Sequence, residues 1–301
     1  MRFAYYPGCS LSAIGRAYDE SARAVCKHLG IELDELEDWN CCGATAFMCV
    51  NELLGLSISA RNLCIAQRMA LDLVVPCPAC FTNLRKTDRA LRDRPQARRQ
   101  VAEVLAAGKL SYLPGTVPVR HLLEALLMDE GLGRIRSAVR IPLRGLAVAP
   151  YYGCQVVRPP VDFDESEYPT MLDGLLTSLG AEVVHYPLKS RCCGAALMGT
   201  SERTALHLCK ELLHCAQQNG ALLIATLCPL CQTNLDAFQS SVNRAFGTSF
   251  HIPVLYFTQL MGIAMGLPGP CLGLGREIVS AAPLLGESMT HRCGSRVPQE
   301  G

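Results

Sequence analysis

The chain lacks most of what would take it to nucleic acid, across a membrane or into a dinucleotide site. Its 301 residues carry 28 basic against 27 acidic side chains, a formal net charge of +1, with no long Lys/Arg tract. That excludes the electrostatic footprint of a nucleic-acid binder. The one Arg-rich run, residues 89–100, reads as a solvated helix face or linker. No basic segment followed by an apolar one opens the sequence, so no signal peptide is expected and the chain is expected to be cytoplasmic. No run of about eighteen apolar residues occurs. The nearest stretch, residues 256–270, is short and broken by Gly and Pro, so no membrane span is expected. Also missing are the C-x-x-C-x-x-C-x-x-x-C-P run of ferredoxins and the G-x-G-x-x-G dinucleotide fingerprint.

Cysteine is what the chain has in excess, with 17 residues. Cysteine-dense secreted scaffolds are short and core-poor, whereas half of this chain is apolar. Reduced thiols, many of them metal ligands, fit better.

An internal repeat organises them. An offset of 151 carries Cys41-Cys42 onto Cys192-Cys193, Cys77 onto Cys228, Cys80 onto Cys231, and "TNL" at 82–84 onto "TNL" at 233–235. Cys9 in "YYPGC" corresponds to Cys154 in "YYGC" at an offset of 145, the difference being a longer Pro-rich loop after Cys154. "PVRHLLEALL" from Pro118 matches "PVLYFTQLMG" from Pro253. Each half therefore repeats a structural plan, and two domains are expected, 1–144 and 145–301 with a C-terminal tail.

Periodicity and punctuation predict the same elements in each half. "RFAYY" and "GLAVAPYY" read as strands ending at Gly8 and Gly153. A helix follows, as in "YDESARAVCKHLG" with Gly30 as its C-terminal stop. A second strand ("IELDELE"; "AEVVHYP") leads to the cysteine pair, a long helix follows Gly43 or Gly194, and the buried strands "LDLVV" and "ALLIAT" end at C-P-x-C. This alternation predicts an α/β fold: two pseudo-symmetric domains, each a small, largely parallel sheet flanked by helices. Its cysteines fall at strand ends, where such folds place ligand sites.

Each half thus carries C, a long gap, C-C-G, 33 residues, then C-P-x-C. Thiolates are soft ligands for iron-sulfur clusters, zinc and Cu(I). Five at one site is one more than a cubane or a tetrahedral zinc takes. Neighbouring residues lie only about 3.8 Å apart at Cα, so two adjacent thiolates suit two adjacent irons better than one metal, with a glycine to let the backbone bend.

These motifs, Cys9, Cys41, Cys42, Cys77 and Cys80, then Cys154, Cys192, Cys193, Cys228 and Cys231, closely resemble the CCG-domain (cysteine-rich) family, in particular the B-type subunit of heterodisulfide reductases. The resemblance spans nearly the whole chain, and no motif position is missing. It implies that each set ligates a noncubane [4Fe-4S] cluster and that the two clusters flank the place where a disulfide is cleaved. It further implies an oxidoreductase whose substrate is a disulfide, thiol or persulfide of a small carrier, the chain being one part of a larger complex. Its partners would be ferredoxin-like (C-type) and flavin-bearing (A-type) subunits, through which electrons would enter or leave. The basic residues, 23 Arg and 5 Lys, tilt this reading toward a bacterial, sulfur-oxidising complex over the methanogen type.

Other readings compete. A CCG-domain electron-transfer subunit of a lactate- or glycolate-oxidising enzyme would carry electrons without touching sulfur, and a zinc-stabilised scaffold would be colourless. The C-P-x-C pairs alone would suit thioredoxin-like redox chemistry, were the other three cysteines not in register. Cys26, Cys49, Cys64, Cys209, Cys215, Cys271 and Cys293 read most simply as buried small hydrophobes, Cys293 in the tail excepted. His121, His185, His207 and His214 read as core or surface histidines. Lys189 and Arg191 precede Cys192 and are candidates to stabilise negative charge there.

Overall fold

A computed structural model describes residues 1–44, 47–157 and 163–286; the side chains of residues 47 and 49 are also outside the description. The first half runs β1 (Arg2–Tyr5), α1 (Gly8–Leu11), α2 (Arg16–His28), β2 (Glu32–Glu35), α3 (Phe47–Val50), α4 (Glu52–Met69), β3 (Leu73–Val75), α5 (Pro78–Asp93), α6 (Pro95–Ala107), β4 (Val119–His121), α7 (Leu122–Leu127) and α8 (Gly131–Ala138). The second runs β5 (Ala147–Tyr151), α9 (Met171–Ser178), β6 (Glu182–Val183), a short 3-10 turn, α10 (Glu202–Gln218), β7 (Leu223–Thr226), α11 (Pro229–Ala237), α12 (Gln239–Phe246), β8 (Val254–Tyr256), α13 (Phe257–Ala264), a second 3-10 turn (Gly269–Leu272) and α14 (Ala282–Leu285).

Two four-stranded sheets result, ordered β2-β1-β3-β4 and β6-β5-β7-β8, with every pairing parallel. Parallel strands need crossovers, and helices supply them on both faces. Hence β3 and β7, whose residues are all buried, read as unbroken apolar runs. Helix α4 starts at Asn51, whose side chain accepts the Leu54 N–H, and α5 and α11 each begin with a proline behind a cysteine. One detail separates the sheets. In β1, Ala4 and Tyr6 donate toward β3, which leaves the Tyr5 N–H for the β2 side. Pro150 stands at the place of Tyr5 and has no N–H to give, and β6 is correspondingly two residues long against four for β2.

The Arg-rich run forms the end of α5 and the start of α6. Arg89 and Arg92 pair with Asp93 and Asp88 one turn away, and Arg94 reaches Glu52. Among the described residues no helix is long and apolar enough to cross a membrane. Of the apolar stretch at 256–270, residues 256–265 are interior, with all eight residues of α13 buried.

The halves interlock. The largest core cluster contains residues of both, and α13 lies along α2. Ser21 Oγ and Thr258 Oγ1 are 2.7 Å apart across this junction, and the rings of Tyr18 and Tyr256 stack at 4.5 Å. The C-terminal segment straps the seam: Arg276 pairs with Glu20 of α2, and the Asp236 carboxylate on α11 accepts the N–H groups of Ile278 and Val279.

Candidate metal centres

Both cysteine sets sit at the carboxyl ends of their sheets, brought there by three turns each. In the first half β1 ends at Gly8, which has a φ of +72° and precedes Cys9; a Cβ on Gly8 would lie 3.1 Å from Cys80 Sγ. In the second half Gly153 has a φ of +71°, and its Cβ would lie 3.0 Å from Cys231 Sγ. Glycine is thus required twice over at each place, by conformation and by the thiol beside it. The cysteine pairs follow β2 and β6, each ahead of a left-handed glycine, Gly43 at +76° and Gly194 at +82°. Cys77 and Cys228 are the N-caps of α5 and α11, and Cys80 and Cys231 lie in their first turns. The helix dipole there favours thiolate over thiol.

The thiols of the first set form a chain. Cys42 Sγ is 3.2 Å from Cys80 Sγ, and hydrogen bonds link Cys41 to Cys42 and Cys77 to Cys80. Cys9 is exposed and acts on Cys41 only through its charge. The second set forms two groups. Cys193 Sγ is 3.6 Å from Cys231 Sγ, which bonds Cys228, while Cys154 bonds Cys192. Three thiols of each set are buried, Cys42, Cys77 and Cys80 against Cys193, Cys228 and Cys231, and the remaining two reach toward solvent. Among the described residues no three His, Cys, Asp or Glu side chains converge as they would on a single metal ion. The sulfurs meet instead in overlapping pairs.

Sharing protons polarises these pairs. Hydrogen bonds from Cys41 and Cys80 bring the Cys42 thiol down to about 4, and the bond from Cys154 brings Cys192 down to about 6. Cys80 is pushed up by its bonds to Cys42 and Cys77, and Cys231 by those to Cys193 and Cys228. Part of each set is therefore thiolate near neutrality, and loading a metal displaces the remaining protons.

Polar groups behind the cysteines repeat as well. Tyr6 donates its hydroxyl to the Asn40 carbonyl at 2.7 Å, and Tyr151 donates to the Arg191 carbonyl at 2.7 Å, each fixing the backbone ahead of a cysteine pair. Asn83 Nδ2 donates to the Cys42 carbonyl, and Asn234 Nδ2 to the Cys193 carbonyl at 2.8 Å. The repeated "TNL" signalled these asparagines, but nothing in it disclosed their targets. The halves differ in one thiol. Cys209 Sγ donates to the same Cys193 carbonyl at 3.4 Å, whereas Ile58 stands at its place in the first half.

Of the other cysteines, Cys26, Cys64 and Cys209 are buried, and burial raises them to about 12, 11 and 12. Cys215 is half-buried and Cys271 is exposed, because the 3-10 turn that carries Cys271 turns Leu272 inward in its place. The Cys49 side chain and Cys293 lie outside the described residues. Lys189 is not aimed at the cysteines. It is buried, with its ammonium 2.9 Å from Asp173 Oδ1 and 3.7 Å from the centre of the Tyr168 ring, and its carbonyl accepts the N–H groups of Tyr152 and Gly153. It ties the loop ahead of α9 to the turn of Cys154. The Arg191 side chain is exposed. His185 stacks on Tyr168, His207 packs against Phe246 and His214 against Phe250.

With the duplicated geometry established, comparison with known proteins places it. The family described as "Cysteine-rich domain" (CCG) matches residues 3–85 and 148–236. The chain belongs to the CCG family. Among its relatives is the 8-methylmenaquinol:fumarate reductase membrane anchor subunit of Wolinella succinogenes, 36% identical over 94% of this chain and 98% of that one. A protein of Archaeoglobus profundus, named for its likeness to the B-type subunit of heterodisulfide reductase, is 30% identical, covering 93% of this chain and 97% of that one. The B-type subunit of the ferredoxin/F(420)H(2)-dependent CoB-CoM heterodisulfide reductase of Methanosarcina acetivorans is 28% identical over 98% and 99%. The CCG fold also matches a crystal structure of a hypothetical protein from Helicobacter pylori, with a TM-score of 0.75 at 16% identity. That match covers 93% of this chain, which spans about half (52%) of the other.

The CCG residues fit a resident iron-sulfur group. Ten soft donors stand in two equivalent sets, glycine cradles bring backbone against the innermost sulfurs, and the buried Tyr18 hydroxyl between the halves has no hydrogen-bond partner among the described residues.

Proposed function

We propose that the chain is an iron-sulfur oxidoreductase subunit of the heterodisulfide reductase B type, with two noncubane [4Fe-4S] clusters. Cys9, Cys41, Cys42, Cys77 and Cys80 hold one, and Cys154, Cys192, Cys193, Cys228 and Cys231 the other. The observation that carries this reading is the same pairing of a C-C-G cysteine with a C-P-x-C cysteine at two sheet ends, with Cys42 and Cys80 at 3.2 Å and Cys193 and Cys231 at 3.6 Å. Clusters held there supply one-electron transfer, and two of them meet the two-electron demand of a disulfide.

The chain's own residues supply the rest. The half-exposed side of each set, at Cys9 and Cys41 or Cys154 and Cys192, admits a thiol, disulfide or persulfide of a small carrier, while the apolar core keeps water from the buried cysteines. Reduced thiols in this number support a cytoplasmic location. The complex is heterodisulfide reductase-like, of the sulfur-metabolising kind, with ferredoxin-like (C-type) and flavin-bearing (A-type) subunits passing electrons to and from the chain.

The relative at 36% identity, named as part of a quinol:fumarate reductase, favours a second reading, in which the same two centres relay electrons without touching a sulfur substrate. Iron, acid-labile sulfide and zinc per anaerobically purified chain, with EPR after oxidation in the presence of a thiol, separate the readings. About eight irons with matching sulfide and a thiol-dependent signal support the first. Iron with no thiol response supports the relay, and zinc in place of iron overturns both.

A further inference from the structure

Nine residues after the first cysteine of each half stands an aromatic ring, Tyr18 after Cys9 and Phe163 after Cys154. Each packs on the residue that ends the last strand of the other half. Tyr18 stacks on Tyr256 with an interplanar angle of 9°, and Phe163 meets His121 edge-on at 5.5 Å. Tyr256 and His121 are themselves equivalent: both close a strand, and both open the following helix with a capping box. The four rings are buried as two crossed pairs, a layer to which both halves contribute.

Within this layer the polar atoms are satisfied, with one exception. His121 Nε2 bonds the Pro76 carbonyl at 2.8 Å, next to Cys77, and its Nδ1 accepts the Leu123 N–H. The Tyr256 hydroxyl makes a long bond of 3.4 Å to Gln232 Oε1. The Tyr18 hydroxyl is wholly buried and has no partner among the described residues. A buried hydroxyl without an acceptor is destabilising, so its retention in a packed layer needs an acceptor. The surroundings say where that acceptor lies. Gly15, near the start of α2, packs against Pro229, beside Cys228, so closely that a Cβ there would be 2.9 Å from the proline ring. Helix α1 packs on α11 as well, and Tyr18 stacks on Tyr256, whose hydroxyl reaches Gln232, the residue after Cys231.

We propose that Tyr18 is a positioning residue of the second centre, its O–H donating a hydrogen bond across the seam to a sulfur atom of the group held beside Cys228. This rests on the iron-sulfur reading above. Phe163, on the segment ahead of α9, packs against His121 and Phe81 of the first half and cannot donate, so the two centres are not alike. A hydrogen bond to sulfur favours the more negatively charged, reduced state and raises the reduction potential. The second centre, supported by a partner from the first half, is the more easily reduced.

The test is an anaerobic potentiometric titration of the loaded full chain and of Tyr18→Phe, followed by EPR and visible absorption, with iron counted in each. The substitution is expected to leave iron content unchanged and to lower one midpoint potential while the other stays in place. In a Cys193→Ser background, expected to retain the first centre alone, the same substitution should move nothing. Full iron with both potentials unmoved overturns the proposal, as does a shift that persists in the Cys193→Ser background. Wild-type chain without iron would instead remove the cluster reading itself.

Discussion

The side-chain amide of Asn234 holds the carbonyl of Cys193 at 2.8 Å from two elements away, joining α11 to the cysteine turn. Both groups are buried, so neither can turn to water for a substitute. Replacing Asn234 with Leu is expected to cost about 1–3 kcal/mol, the penalty of an unsatisfied buried carbonyl. Cys209 Sγ still reaches that carbonyl, which should hold the loss to the lower part of the range. Urea unfolding of the loaded protein measures it, and Asn83→Leu, whose carbonyl has Ile58 beside it in place of a thiol, should lose more.

Gly153 and Gly220 have nearly the same backbone angle, φ +71° and +73°, in different surroundings. Alanine at either costs about 1–2 kcal/mol for the left-handed conformation. Only at Gly153 would the new methyl meet a cysteine sulfur, Cys231 Sγ at 3.0 Å, whereas Gly220 has nothing within 4 Å. Gly153→Ala should therefore lose iron from the second centre, and Gly220→Ala should keep it. Equal iron in the two variants would show that the cradle is not tight.

Cys42 and Cys193 each bring their cysteine pair against the second cysteine of C-P-x-C, Cys80 and Cys231. Cys42→Ser and Cys193→Ser should each reduce iron per chain by about half, with the spectrum of the other centre preserved, if each set holds one cluster. Cys26→Ala and Cys64→Ala remove equally buried sulfurs outside the sets and should leave the count alone. Metal analysis across these four variants decides whether the sets are independent.

His121 makes the protein acid-sensitive in a definable window. Burial lowers its pKa to about 3, although the Pro76 and Leu227 carbonyls pull the other way. The folded chain therefore holds it neutral, while the unfolded chain takes up a proton below about pH 6.5. The unfolded state binds more protons between those two values, so stability falls as pH drops through them, by at most about 1.4 kcal/mol per pH unit from this group. His121→Gln should show a shallower loss between pH 7.5 and pH 5.5 in urea unfolding. Parallel slopes for variant and wild type would mean that solvent protons reach the ring.

Much of this was legible in the residues themselves. The repeat at 151 and 145, the β-branched runs before each C-P-x-C and the glycines after each cysteine pair give the parallel sheets and the place of the thiols. The fourth strands were not legible. Val119–His121 and Val254–Tyr256 are three residues long and run directly into helices, too short for any period to show. Nor was the seam. The apolar face of α2 is visible as a pattern, but that it lies on α13, far along the chain, is a matter of packing. Lys189 misled for a related reason: its nearness to Cys192 in sequence implied an electrostatic role, whereas the backbone turn sends the ammonium to Asp173. Distance along the chain is a poor guide where three loops converge.

The crossed pairing of Tyr18 with Tyr256 and of Phe163 with His121 has the form of an isologous contact, the kind that two identical protomers make about a twofold axis. Two copies of one gene product would be obliged to present the same ring on both sides. Fused into a single polypeptide, the two sides are free to diverge. They have done so where it bears on the sulfurs, with a hydroxyl against a bare phenyl ring, a phenol against an imidazole, and Cys209 against Ile58. Covalent fusion thus turns a symmetric arrangement into one whose two sides need not be alike.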